Sequence, residues 1–228
     1  MKFFSLLFFI IGIQFASMAQ TPESPAIVFG PVFGDSKLQE LTYYKINDID
    51  SVQFTALKFY ISGVELIHQY KTVWKEANSY HLVDAFQEQS LSLPLNVPTK
   101  LKYDRIKFNI GIDSTTSVSG AMGGDLDPTK GMYWAWQSGY INFKVEGKSN
   151  LCKTRNTEFQ YHLGGYRFPY NNLQSIFMDM PASQLHVVLD LKKLITEMPL
   201  TQKHHIMSPG NEAMLMMERV INCLSIKK

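Results

Sequence analysis

The sequence is short of cysteine, short of net charge and short of long apolar runs, and each shortage removes a class of function. Two Cys in 228 residues exclude a disulfide-dense miniprotein and any multi-cysteine zinc ribbon. The 22 Lys and Arg against 20 Asp and Glu leave a formal net charge of +2, too weak a field to argue for nucleic acid. Gly (14) and Pro (10) are ordinary counts, so collagen and low-complexity repeats are out. P-loop, G-x-G-x-x-G, G-x-S-x-G and H-E-x-x-H motifs are all missing, so nothing licenses a kinase, dehydrogenase or hydrolase, and the chain reads as a non-enzyme. What is present is 45% apolar and 13% aromatic residues, enough to build a large core.

One apolar run exists, and it opens the chain. Lys2 precedes Phe3 to Phe15, which is interrupted only by Ser5, Gly12 and Gln14. Ser17-Met18-Ala19 then fits the small-x-small cleavage rule, so residues 1–19 read as a secretory signal peptide and Gln20 as the mature start. The expectation is an exported protein of the periplasm or cell surface, with no membrane span left after cleavage. Export makes Cys152 and Cys223 eligible for a disulfide. The alternative, two separate thiols, stays open, because pairing needs the Cα atoms within about 7 Å.

Residues 20–26 carry two Pro with Ser and Thr and read as a flexible lead-in. Residues 27–228 read as one domain. Short apolar or alternating segments follow one another: 26–33, 41–46, 52–67, 80–83, 91–95, 101–112, 141–145, 157–163 and 184–191. In the sixth, Ile106, Phe108, Ile110 and Ile112 share a face; in the last, Leu185, Val187, Leu189 and Leu191 do. Gly63 inside the longest marks a bulge or a close backbone approach. Period-two segments with turn residues between them and no βαβ rhythm predict an all-β antiparallel sandwich. Residues 113–139 form a long insertion, with Asp127-Pro128 as a helix start and Gly139 able to end the turn; were the stretch helical, Trp134 and Trp136 would point about 200° apart, so that only one need be buried. A C-terminal helix capped by Ser208, with Pro209 at its first position, carries a Met214, Met217, Ile221, Leu224 stripe.

Imidazole is the commonest protein ligand for copper and zinc. His68, His186 and His204-His205 read as strand-end, surface and loop residues. His81 and His162 each sit among aromatics and are the candidate metal ligands. Asp125 and Asp127 lack the further acids a calcium loop needs, and Met214, Met216 and Met217 read as core filler.

The stretch Gly120-Ala-Met-Gly-Gly-Asp-Leu-Asp-Pro128, the run Gly131-Met-Tyr-Trp-Ala-Trp-Gln-Ser-Gly-Tyr140, Phe159-Gln-Tyr-His-Leu-Gly-Gly-Tyr166 and Met207-Ser-Pro-Gly210 together resemble the MbnP-like domain of the metallo-mystery pair, across residues 27–226. The resemblance implies an exported all-β protein that binds copper and works with a dihaem MauG or cytochrome c peroxidase-like partner. It implies His162 and His81 as copper ligands, and Trp134 or Trp136 as a tryptophan oxidised to kynurenine. The alternative function is a non-enzymatic interaction module whose aromatic loop binds a glycan or a partner protein.

Overall fold

The computed structural model describes residues 24–180 and 183–227. The signal peptide expected over residues 1–19 and residues 20–23 of the expected lead-in lie outside the described residues. Pro25 already accepts a backbone hydrogen bond from Leu95, and Ala26 opens the first strand.

In chain order the strands are β1 Ala26–Phe33, β2 Ser36–Lys37, β3 Tyr43–Lys45, β4 Ser51–His68, β5 Lys71–Lys75, β6 Tyr80–Asp84, β7 Ser92–Pro94, β8 Arg105–Ile110, β9 Tyr133–Trp134, β10 Gly139–Ser149, β11 Glu158–Gly164, β12 Gln174–Asp179, β13 Gln184–Asp190, β14 His205–Ile206 and β15 Leu224–Ile226. Three α-helices, α1 Ser114–Val118, α2 Leu191–Glu197 and α3 Asn211–Asn222, join them. The smaller sheet runs β15-β13-β1-β2 with β7 beside β1, and the larger runs β12-β8-β4-β10-β11-β14. The expected sandwich is present, but it is mixed rather than purely antiparallel. β1 runs parallel to β13, and β11 parallel to β14.

Alternation builds the core between the sheets. Ile27, Phe29, Leu185, Val187 and Leu189 face Phe54, Leu57, Phe59, Ile61, Phe108 and Phe143. Phe29 bridges the layers edge-on, 5.3 Å from the Phe59 ring and 6.2 Å from Phe108. At Gly63, φ is +57° and the pairing of β4 with β8 slips between Ser62 and Glu65, the bulge its sequence predicts.

Strand β4 organises the site. Phe59 pairs with both Val83 of β6 and Phe143 of β10, and Ile61 with both His81 of β6 and Ile110 of β8. So β10 and β8 follow one another along the same edge of β4, and the chain between them, residues 111–138, emerges where they part. Gly111 (φ +111°) closes the fork: a Cβ there would lie 2.5 Å from Asn142, whose Oδ1 accepts from the Ile112 amide at 3.1 Å. The insertion folds back and builds a second small core from Tyr60, Leu82, Ile112, Leu126, Met132, Trp134, Tyr140 and Ile141. Tyr60 lies between Phe59 and Ile61 in the strand, so this core covers the face of β4 opposite the main one.

Some local expectations need correcting. Asp127-Pro128 does start a helical turn, with Asp127 accepting from the Thr129 amide, but it is a single 3-10 turn ended by Gly131 at φ +73°. Trp134 is a strand residue, and Gly139 pairs with it to begin β10. α3 starts at Asn211 after Gly210, so neither Ser208 nor Pro209 caps it, and it buries Ala213, Met216, Met217 and Val220.

Candidate functional site

His162 lies in the outward-facing row of β11, between Gln160 and Gly164. Lys144 is its partner on β10, and Lys144 in turn faces Lys58 on β4. His162 is 7% exposed as a residue. Its Nε2 lies 2.6 Å from Glu146 Oε1, and Lys144 Nζ lies 3.2 Å from the same carboxylate oxygen. The bond from His162, foremost, and the Lys144 charge hold the Glu146 carboxyl below its ordinary value despite burial. A carboxylate on one ring nitrogen fixes the imidazole and leaves Nδ1 as the free ligand atom, the usual orientation of a metal-binding histidine.

The tryptophans come to the same end of β11. Gly164 allows it: a Cβ there would lie 2.7 Å from the Trp134 ring, so only glycine lets the indole rest on the strand two residues from His162. Trp134 is 5% exposed, and its Nε1 is buried without a hydrogen-bond partner. Trp136 is 66% exposed, with its ring 5.9 Å from that of Trp134. A two-residue strand and turn, not a helix, therefore buries one indole and presents the other.

His81 is elsewhere. It pairs with Ile61, whereas the row of His162 crosses β4 at Lys58. Three strand spacings and three residues separate them, about 14 Å across the sheet and about 10 Å along it. His81 Nε2 binds Glu76 Oε2 at 2.8 Å, and the residue lines a polar cavity of about 580 Å³ with Lys58, Asp84, Asp125 and Lys130. The shared His81–His162 pocket expected from sequence is not formed, because β4 and β10 intervene.

The neighbour sequence reading missed is β14. His205 pairs in parallel with Gln160 of β11, so continuing that register sets Met207 beside His162 and His205 one diagonal away. The signal was present in His205-Ile206-Met207, whose middle residue is buried while its flanks are exposed, but pairing of a two-residue strand cannot be read locally. Among the described residues no group of three His, Cys, Asp or Glu is arranged to hold a metal. His68 pairs with Asp104 at 2.9 Å. Cys152 and Cys223 are separate, buried thiols, each pushed up to about 11 by burial; the disulfide left open by the sequence is not made. No described helix is long and apolar enough to cross a membrane.

A family model described as MbnP matches residues 22–213. The chain belongs to the MbnP family. Its fold is similar to that of a solved structure, MbnP from Methylosinus trichosporium, with a TM-score of 0.56 at 14% identity, over 78% of this chain and 79% of that one. Comparison with curated proteins finds no match. The MbnP domain thus carries its insertion, its paired tryptophans and His162 on one face of the larger sheet.

Of the two histidines first expected as ligands, His162 has further donor residues on the neighbouring chain segment and His81 does not. Imidazole and thioether are both copper donors; His162 and His205 lie on the adjacent strands β11 and β14, and Met207 directly follows β14. The indole N–H donates only, so unmodified Trp134 adds no ligand. The Glu76–His81 pair has no such company.

Proposed function

We propose that this MbnP-family protein is an exported, non-enzymatic copper-handling protein that works with a dihaem peroxidase-like partner, and that His162 anchors the metal. Copper is cargo in this reading. One observation supports it above the others: a nearly buried imidazole, oriented by Glu146 at 2.6 Å, stands two residues along its strand from the glycine that seats Trp134. His205 and Met207 supply the additional donors. Trp136 is the indole a macromolecular partner reaches, and Trp134 lies tilted beside it with ring centroids 5.9 Å apart, so oxidation to kynurenine falls on this pair.

Copper titration of the metal-free mature protein tests the ligand set. Wild type and His81→Ala bind with the same affinity, whereas His162→Ala loses binding by at least about tenfold, the loss of one good ligand. Loss in His81→Ala with retention in His162→Ala overturns the assignment. Metal analysis and peptide mass of protein from its native host test the rest: copper in stoichiometric amount, and a residue 131–140 peptide that has lost one carbon and gained one oxygen.

A further inference from the structure

Beside the metal face lies a cavity of about 460 Å³, walled by Trp136, Tyr166, Arg167, Phe168, Tyr170 and Pro209, with Gln137 and Ser208 as its neutral polar groups. Phe168 is 97% exposed, Trp136 66% and Tyr170 39%. Three aromatic planes left in water beside a full core are not explained by folding, which gains from burying such rings.

The cavity is built rather than incidental. Tyr166 is buried, with its ring against Gly139, where a Cβ would lie 2.9 Å away. Its carbonyl accepts from Ser114 Oγ at 2.8 Å. The Tyr170 amide closes a turn onto the Arg167 carbonyl at 2.7 Å, and the Asn172 amide closes the loop onto Gly165 at 2.9 Å. Asn172, fully buried, ties the loop to α3 through the Ala213 carbonyl at 3.2 Å. The loop base is therefore fixed while its aromatic tip faces water.

Charge selects the occupant. The Arg167 guanidinium sits 5.2 Å from the centroid of the Tyr166 ring, it makes no ion pair among the described residues, and no acid lines the cavity. A flat ligand with apolar C–H faces for stacking, hydroxyls for Gln137 and Ser208, and a carboxylate for a planar guanidinium satisfies every wall. The volume lies within the range of small-ligand sites. We infer that this aromatic cavity binds an acidic oligosaccharide, with a uronic-acid carboxylate on Arg167 and sugar rings stacked on Trp136 and Tyr170. The site is independent of copper, and its test is run in chelator so that the two proposals fail separately.

Calorimetry and tryptophan fluorescence of the mature protein with oligogalacturonate and oligomannuronate, each beside its methyl ester, decide the matter. At least one free acid binds and quenches or shifts the indole signal. Its ester binds about tenfold or more weakly, as loss of a charge-assisted pair requires. Arg167→Gln matches that loss, and Trp136→Ala abolishes binding; both side chains are solvent-facing, and unchanged circular dichroism checks the fold. No binding of either acid, equal binding of acid and ester, or binding indifferent to both substitutions overturns the proposal. So does saturable binding of a proline-rich or acidic peptide in place of both sugars.

Discussion

Single residues decide most of what this face can do, and they do so through their neighbours rather than their identity. His68, His81 and His162 all sit against carboxylates, so carboxylate pairing does not set His162 apart; its burial beside Trp134 does. The cysteines make the same point. The export expected from the sequence made a disulfide reasonable, but Cys152 and Cys223 are each 3% exposed, and burial lifts both thiols to about 11. A thiol held so far above neutral pH presents almost no thiolate, the reactive form. Both should therefore resist an aromatic disulfide reagent in the native protein at pH 7.5 and react, two per chain, once it is unfolded without reductant. Failure to titrate in the unfolded protein would mean that the residues are paired after all.

Among elements, the strands with clean alternation were legible in the sequence and the irregular ones were not. Ile106, Phe108 and Ile110 are buried in the main core as their spacing predicts, whereas Ile112, expected on the same face, follows Gly111 into the second core; Leu185, Val187 and Leu189 line the opposing layer. Strand β12 was missed because Gln174–Asp179 buries only Ile176 outright, leaving no period to detect. α2 was missed because Asp190, read as part of a strand, caps it by accepting from the Lys192 and Lys193 amides. α3 was found with the wrong face. Its methionines were placed on a 214, 217, 221, 224 stripe, but the buried set is Ala213, Met216, Met217 and Val220, an i, i+3, i+4, i+7 face shifted by docking against β11. The two stripes share only Met217, which makes the difference measurable. Met217→Ala and Met216→Ala should each cost about 2–5 kcal/mol in urea unfolding. Met214→Ala, at a half-buried position, should cost less than about 1.5 kcal/mol. A larger loss at 214 than at 216 would restore the simpler stripe.

At the scale of the whole molecule, the insertion is a flap of chain held onto the larger sheet by two carboxylates, and this was beyond sequence reading because each clip spans a long loop. Asp113 caps α1 through the Thr116 amide and hydroxyl, both at 2.9 Å, and accepts from the Tyr80 hydroxyl of β6 at 3.2 Å. Asp125 accepts from the Leu82 amide of β6 at 3.0 Å and from Lys130 at 2.6 Å. Burial alone would raise both carboxyls. At Asp113 the bonds from Thr116 and Tyr80 outweigh it, and at Asp125 those from Lys130 and Leu82 do, so both lie below the ordinary 3.8. Groups with folded-state values below the unfolded one contribute stability that is complete above the unfolded value and is lost as pH falls through the folded value. The hold on the insertion should therefore be unchanged from pH 7 to about pH 5 and weaken below about pH 4. Because Trp134 and Trp136 ride on the insertion, their emission should change there, ahead of the collapse of the sheet circular dichroism. The double substitution Asp113→Asn, Asp125→Asn removes both titrating groups. It should be less stable at pH 7 and show a flatter acid dependence, approaching wild type as the pH falls through the folded-state values. An acid transition of equal steepness in the double variant would mean that other carboxylates hold the flap, with Glu76 and Glu146, also depressed, the next to test.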